Sequence, residues 1–271
     1  MLQNKKISTV ILAHDGLAAK VLYLKFLKSS KAFEVTHFIN ISILNKRNKN
    51  DKLAIIKLFK KSYTYIIFNL LVYHFYLIIQ DLTNYSLKKI CSSLNIKYLN
   101  INNYDDLTFN LSKINPDIII NSASYILREE ILSLPKYGVI NLHGAPLPKY
   151  RGTANQFWAF HNKEKRFNTV IHFMNSSLDT GNIICSGKFF LINYKKSVFW
   201  LWIKTLVQLS FLLNKLDRFY EKNLAIPSKT QNFITTLVPN SYPLSNHLKY
   251  IKVPAFQTKD FLLIFKILIK H

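Results

Sequence analysis

The sequence predicts an α/β fold, built on an open and mainly parallel β-sheet and followed by a helical C-terminal extension. Short apolar runs rich in β-branched residues alternate with helical stretches in the first part of the chain. One of these runs, DIIIN at 117–121, is almost continuously apolar, as is typical of a strand in the centre of a parallel sheet. We therefore expect one domain at 1–192, with an apolar helical insertion at about 52–90, and a helical extension at 193–271.

The predicted elements follow one another in a strand–helix order. The first strand, Lys6–Ala13, reads KISTVILA and is apolar and β-branched. The turn after it leads into a helix at Leu17–Leu27, for which Asp15 is the candidate N-terminal cap. The remaining strands are predicted at Glu34–Asn40, Ile96–Ile101, Asp117–Asn121 and Gly138–His143, and one long helix at Lys195–Asn223.

The end of the last predicted strand is the place where a ligand is expected. In an open α/β sheet, ligands bind at the carboxyl ends of the strands, and Asn141 and His143 lie at that end. Five of the six glycines also lie in the window from Gly138 to Gly187. Because glycine suits sharp turns and close backbone approaches, we expect the chemistry to be in this window.

The composition narrows the class of protein. A hydrophobic fraction of 49% and an aromatic fraction of 14% exclude a disordered chain. Cys91 and Cys185 build no disulfide framework and fit a reducing compartment, and neither has neighbours at metal-ligand spacing, so no metal is predicted. The polar start at Met1–Lys6 and the short apolar run after it do not resemble a signal peptide, so we predict a cytoplasmic location.

The net charge of +23 admits two interpretations. It favours an anionic partner such as RNA, a nucleotide or an acidic membrane surface. The lysines are scattered along the chain, however, and a biased genomic composition explains them equally well. A phosphate-bearing substrate is compatible with both interpretations.

A 19-residue uncharged segment, Ser62–Gln80, raises the question of membrane contact. A membrane span is disfavoured by Asn69 and His74 within the segment and by the strand–helix pattern on both sides of it. A buried or paired helix and an in-plane helix at a membrane surface remain open. Two further apolar stretches with lysines, Val198–Leu216 and Phe261–Lys270, suit either an anionic lipid surface or ordinary packing.

Three short motifs in the glycine-rich window occur in a fixed order. They are Asn-Leu-His at 141–143, Leu-Pro-Lys-Tyr-Arg-Gly at 147–152 and Leu-Asp-Thr-Gly at 178–181. This combination resembles the formyltransferase family that uses 10-formyltetrahydrofolate, which includes methionyl-tRNA and sugar N-formyltransferases. The resemblance covers roughly residues 6–190, is strongest from Pro116 onward, and implies a Rossmann-like sheet.

The resemblance implies catalytic roles for Asn141, His143 and Asp179. Formyl transfer to an amine passes through an oxyanion, which requires a hydrogen-bond donor, and it moves a proton from the amine to the leaving nitrogen. Asn141 can donate to the oxyanion, and His143 projects to the same side of the strand. Asp179 can orient the imidazole or take the proton, and a neighbouring carboxylate is expected to favour the protonated ring.

The other histidines have no neighbouring catalytic motif in the sequence, and we interpret them as structural or surface residues. They include His14, His37, His74, His161 and His172. Arg151 is interpreted as an anchor for its loop. By resemblance, two segments line the folate pocket, namely Ser124, Tyr125, Ile126 and Leu127 on one side and Ala145, Pro146, Leu147 and Pro148 on the other. Ala145 and Pro146 stand where the usual family loop has serine and leucine.

We therefore predict an enzyme that transfers a formyl group from 10-formyltetrahydrofolate to an amine, without a metal. The expected acceptor is an amino sugar, nucleotide-linked or lipid-linked, with peripheral membrane contact open. Methionyl-tRNA formylation fits the charge, but the tail after 193 does not predict the second β domain of those enzymes. Formyltetrahydrofolate hydrolysis, glycinamide ribonucleotide formylation and a membrane-associated binding module with an inactive site remain as alternatives.

Overall fold

Five of the predicted apolar runs form parallel strands in one sheet. The computed structural model describes residues 6–41, 86–123, 125–152, 155–223 and 225–231. The parallel strands in these residues are β1 (Ile7–Ala13), β2 (Phe33–Ile41), β3 (Lys97–Ile101), β4 (Ile118–Asn121) and β5 (Val139–His143). All five predicted strands are confirmed to within one residue at each end.

Four short strands that the sequence did not predict complete the sheet structure of the described residues. They are β6 (Arg166–Phe167), β7 (Val170–Phe173), β8 (Ile183–Ser186) and β9 (Phe190–Leu191). The main sheet has the order β3-β2-β1-β4-β5-β7-β8, in which β7 and β8 pair antiparallel, and β6 pairs with β9 separately. The predicted fold class, a mainly parallel open sheet, is therefore confirmed.

Helices cover both faces of the sheet. In chain order they are α1 (Leu17–Ser29), α2 (Leu87–Ser93), α3 (Tyr104–Ile114), α4 (Glu129–Leu132), α5 (Asn155–His161) and α6 (Val198–Asn223). Side chains of β1 alternate between the faces: Ile11 packs in a buried cluster with α1 and α6, and Val10 packs with α3 and α4. The predicted long helix is confirmed as α6.

The prediction that Asp15 caps the first helix is wrong. Gly16 occupies the N-cap position of α1, where no side-chain hydrogen bond forms. The Asp15 carboxylate instead accepts a 2.7 Å hydrogen bond from the Tyr98 hydroxyl, and the Asp15 N–H donates to Asn40 Oδ1 at 2.8 Å. The reason is that β3 and β2 bring these partners to the end of β1, which local sequence cannot reveal.

A buried carboxylate joins α6 to the turn between α1 and β2. Asp217 is 4% exposed and accepts hydrogen bonds from the Ser30 hydroxyl at 2.7 Å and from the backbone N–H of Ala32 at 2.9 Å. A carboxylate in such a place is stable only when donors surround it, because an unpaired buried charge is costly. The helix is therefore fixed by polar contacts at this end as well as by its apolar side.

The stretch Val198–Leu216, for which lipid contact or ordinary packing was open, lies in α6 and packs against α1 and the sheet. No helix of the described ranges has the length and apolar character needed to cross a membrane. Ser62–Gln80 and Phe261–Lys270 lie outside the described residues, as does nearly all of the predicted insertion. The division of the chain at 192, the cytoplasmic location and contact with a membrane surface stay predictions.

Replacing Asp217 tests the attachment of α6. Asp217→Ala leaves buried donors without an acceptor and should lower the free energy of unfolding by about 2–4 kcal/mol. Glu221→Ala is the matched control: Glu221 lies on the same helix and forms an exposed 3.6 Å ion pair with Lys31, so it should cost less than about 1 kcal/mol. Urea unfolding of both variants measures the difference, and equal losses would contradict this account.

Candidate active site

Two asparagines lie side by side where neighbouring parallel strands end. Asn121 of β4 and Asn141 of β5 are in register. The Asn121 amide exchanges hydrogen bonds with the backbone of Ala123 and donates to Asn141 Oδ1 at 3.0 Å. The Asn141 carbonyl oxygen is thereby turned toward Asn121, and its NH₂ group points away from β4. Asn121 was not predicted as a site residue, although it ends β4 as His143 ends β5.

His143 lies two residues after Asn141, on the same side of the strand as predicted. The ring is 5% exposed, and its Nε2 lies 2.6 Å from the Tyr150 carbonyl oxygen. A carbonyl only accepts, so Nε2 carries the hydrogen and Nδ1 is left as the basic nitrogen. Nδ1 lies 3.5 Å from Asp179 Oδ2.

Asp179 reaches both predicted partners from the loop after β7. Its Oδ1 lies 3.5 Å from Asn141 Nδ2, and its Oδ2 accepts the Gly152 N–H at 2.7 Å. The structure therefore brings Asn141, His143 and Asp179 together. Gly152 has φ +86°, a conformation that glycine adopts without strain, and this conformation accompanies the N–H contact with the carboxylate.

The loop that carries Asp179 is held close to the sheet. A Cβ atom at Gly181 would lie 1.9 Å from the Phe173 carbonyl oxygen, so only glycine fits there. Gln231, which the sequence did not indicate, donates to the carbonyl oxygens of Asp179 at 3.0 Å and Gly181 at 2.7 Å. Its own oxygen accepts from Arg151 at 3.3 Å, which agrees with the interpretation of Arg151 as an anchor.

His172 is a member of this cluster, so the expectation that it is a structural or surface residue without catalytic neighbours is wrong. It lies on β7 directly opposite Asn141 in the antiparallel ladder and is 1% exposed. Its Nε2 lies 3.6 Å from Asp179 Oδ1 and 3.2 Å from Asn141 Nδ2. His172 was not placed in the cluster because β7 itself was not predicted.

Burial and charge set the protonation states of the cluster. Burial alone raises the pKa of Asp179, but the hydrogen bond with His172, the charge of His143 and the Gly152 N–H outweigh it and lower that pKa to about 2. Burial lowers the pKa of His143, an effect that Asp179 only partly offsets. Asp179 does favour the protonated ring, as expected, but removing the ring from water has the larger effect, so the pKa of His143 is lowered overall.

The predicted pocket residues differ in exposure. Tyr125 is half-buried with its ring 5.2 Å from that of His14, and Ile126 is 78% exposed. Leu127 and Ala145 are buried in core clusters. Pro146 is also buried, Leu147 and Pro148 are half-buried, and Ser124 lies outside the described residues. The pocket roles of all eight residues stay predictions.

The remaining predicted histidines differ in placement. His37 is half-buried on β2, and the side chain of His161 and the whole of His74 lie outside what the structure describes. Among the described residues, His143, His172 and Asp179 each offer one ligand atom, and these atoms lie within 4.8 Å of one another. Such a group could hold a metal ion, so the absence of a metal stays a prediction.

The fold and the cluster together define an α/β domain with an amide donor, a basic ring and a carboxylate at the carboxyl end of the sheet. Residues 90–197, which build most of this site, match the family model described as formyl transferase. The match covers less than half of the chain, and over these residues the family resemblance predicted from the motifs is confirmed.

Known proteins are similar to this chain in sequence over a short segment and in fold over most of its length. A methionyl-tRNA formyltransferase of Clostridium tetani is 49% identical over 80 residues, which are 29% of this chain and 26% of that protein, so the match spans about a quarter of that relative. Glycinamide ribonucleotide transformylase 1 from Symbiobacterium toebii aligns with a TM-score of 0.58 at 15% identity, over 84% of this chain and 95% of that chain. The N-formyltransferase from Helicobacter canadensis, in complex with folinic acid and dTDP-3-aminofucose, aligns with a TM-score of 0.52 at 19% identity, over 85% and 70%. The two structural likenesses show the fold.

The state of the His143 ring is directly measurable by NMR of its ring nitrogens. We expect a neutral ring protonated on Nε2 at neutral pH, with a pKa below the ordinary 6.5 because burial disfavours the cation. Asp179→Asn should lower the pKa further, since the carboxylate charge raises it. Asp105→Asn, an exposed change on α3, should leave it unchanged. A pKa of 6.5 or above in the unaltered protein would contradict the burial argument.

Proposed function

We propose that this protein transfers a formyl group from 10-formyltetrahydrofolate to a primary amine at the cluster of Asn141, His143 and Asp179. The observation that carries the proposal is the convergence of the Asn141 NH₂ group and the basic nitrogen of His143 on one carboxylate, whose side chain is 10% exposed. The formyl transferase family match of residues 90–197 supports the same reaction class.

Asn141 is assigned to the oxyanion. As the amine nitrogen bonds to the formyl carbon, the carbonyl oxygen gains negative charge that a fixed donor stabilises more strongly than mobile water does. Asn121 holds the Asn141 amide through the 3.0 Å hydrogen bond to Oδ1, so the NH₂ group is oriented before substrate arrives. Asn121 is thus a positioning residue that acts through Asn141.

His143 is assigned to proton transfer. Its neutral Nδ1 takes the proton that the amine loses when the new C–N bond forms, and the imidazolium then delivers that proton to the leaving folate nitrogen as the old C–N bond breaks. Asp179, ionised and 3.5 Å away, stabilises the transient imidazolium. The Tyr150 carbonyl fixes the tautomer that makes Nδ1 the active nitrogen.

The folate is assigned to the two predicted walls beside the cluster. Ile126 and the half-buried Leu147 and Pro148 offer apolar side-chain surface to a flat ring. Leu127, Ala145 and Pro146 have their side chains in the interior, so they would meet the ligand through their backbone. Ser124 is kept in the same proposed wall by the family resemblance.

The proposed acceptor is an amino sugar carried on a nucleotide. The net charge of +23 suits the phosphates of such a molecule, and the similar Helicobacter canadensis structure is described in complex with dTDP-3-aminofucose. Methionyl-tRNA is the second candidate, favoured by the same charge and by the identity to the Clostridium tetani enzyme. One experiment separates the two.

The test follows release of tetrahydrofolate from 10-formyltetrahydrofolate with no amine, with an amino-sugar nucleotide, with the free amino sugar, and with methionyl-tRNA. We expect release to depend on an amine and to be fastest with the sugar nucleotide. His143→Ala and Asp179→Asn should each lower kcat/KM by at least about 100-fold, because the proton path is lost.

His37→Ala and Asp105→Asn are the matched controls, since each makes the same chemical change away from the cluster, and both should keep near-normal turnover. Undiminished turnover by a folded His143→Ala variant would overturn the mechanism. Release without any amine would identify a hydrolase instead, and neither binding nor release would favour a binding module with an inactive site.

A further inference from the structure

The two buried histidines of the cluster are held in the same way. His143 Nε2 lies 2.6 Å from the Tyr150 carbonyl oxygen, and His172 Nδ1 lies 2.7 Å from the Phe173 carbonyl oxygen. Both nitrogens must carry hydrogen, because a carbonyl cannot donate. The longer 3.4 Å contact between Asn155 Nδ2 and His143 Nε2 joins two donors in this tautomer, so the 2.6 Å bond decides the assignment.

When both rings are neutral, the opposite nitrogens therefore present lone pairs to the same carboxylate. His143 Nδ1 is 3.5 Å from Asp179 Oδ2, and His172 Nε2 is 3.6 Å from Asp179 Oδ1. Lone pairs and a negative carboxylate repel one another unless a hydrogen-bond donor or a positive charge lies between them. At His172 the Asn141 NH₂ group, 3.2 Å from Nε2 and 3.5 Å from Asp179 Oδ1, relieves part of this repulsion. A proton or a metal cation between the rings and the carboxylate would relieve the rest.

We propose that His143, His172 and Asp179 bind a divalent transition-metal ion such as Zn²⁺, and that this ion inhibits the enzyme. Two imidazole nitrogens and a carboxylate are a common zinc ligand set. Ligands held at about 2.0–2.2 Å from a tetrahedral zinc lie about 3.4 Å apart. The two histidine–carboxylate distances, 3.5 Å to Asp179 Oδ2 and 3.6 Å to Asp179 Oδ1, are close to this value but run to different oxygens, so both carboxylate oxygens face the position of the ion. With all three ligand atoms within 4.8 Å, small movements of the side chains complete the site.

The groups around these ligands match those that support metal sites. Histidine ligands almost always donate their second ring N–H to a carbonyl or carboxylate, and ligating carboxylates are hydrogen-bonded in turn. Here the carbonyls of Tyr150 and Phe173 hold the two rings, and the Gly152 N–H holds the carboxylate. All three supports are backbone groups, so they are fixed by the fold.

Inhibition follows from the shared atoms and rests on the proposed function. A bound ion would occupy the Nδ1 lone pair of His143, which could then accept no proton from the amine. It would also compete with the Asn141 NH₂ group, which lies 3.2 Å from His172 Nε2. Metal binding and formyl transfer are thus mutually exclusive at this cluster.

The binding test uses the full chain and Zn²⁺ in isothermal titration calorimetry, with Co²⁺ absorption as a report on coordination geometry. We expect one equivalent to bind, with visible Co²⁺ bands of a four- or five-coordinate site. His172→Gln and Asp179→Asn keep polar side chains of similar size and should each weaken binding at least about tenfold. His37→Gln is the control and should bind as the unaltered protein does.

Circular dichroism and thermal melts verify that each variant is folded. Unchanged Zn²⁺ affinity and unchanged Co²⁺ bands in both cluster variants would overturn the proposal. So would the absence of any binding by the unaltered protein.

Activity provides a second, separable measurement. Zn²⁺ should stop tetrahydrofolate release, and a chelator should restore it. If the protein binds metal at the cluster but transfers no formyl group under any condition, the metal site stands and the proposed function fails. If it transfers formyl groups and binds no metal, the metal site fails and the function stands.

Discussion

The position of the Asp179 carboxylate is the constraint on which the rest of the site depends. The residue has a left-handed backbone conformation, φ 51°, which costs energy for any residue except glycine. Two hydrogen bonds offset that cost: the Gly152 N–H donates to the carboxylate and the Gln231 amide donates to the Asp179 carbonyl oxygen. The close approach of Gly181 to Phe173 keeps the same loop near the sheet. Without this arrangement His143 and His172 would face no common anion.

The sheet topology explains why these side chains meet. Parallel strands β4 and β5 end at the same edge and deliver Asn121 and Asn141 in register. Strand β7 returns antiparallel beside β5 and places His172 opposite Asn141. The buried setting strengthens each electrostatic contact and reduces competition from water, which suits the proton transfer that we propose for His143 and Asp179. The same features create the proposed metal site.

The sequence predicts local features well and distant partners poorly. The parallel strands are predictable because each is a short apolar run bounded by turns, and Asn141, His143 and Asp179 because their motifs resemble a family. His172 was missed because its strand was not predicted, although the apolar, β-branched sequence VIHF was a usable signal. Gln231 lies 52 residues beyond Asp179 and forms its contact only after α6 returns the chain to β8. The state of His143 depends on burial, which no motif reports.

The most direct test of the central claim is a double-mutant cycle between Gly181→Ala and Asp179→Asn, measured as single-turnover release of tetrahydrofolate. If Gly181 serves only to place the Asp179 carboxylate, Gly181→Ala alone should slow transfer about 100-fold by displacing it. In the Asp179→Asn background, Gly181→Ala should then lower the rate of release by less than about twofold. The reason is that the effects of residues that act as one unit are not additive. Full additivity of the two losses would show that the glycine acts independently of the carboxylate and would contradict the account.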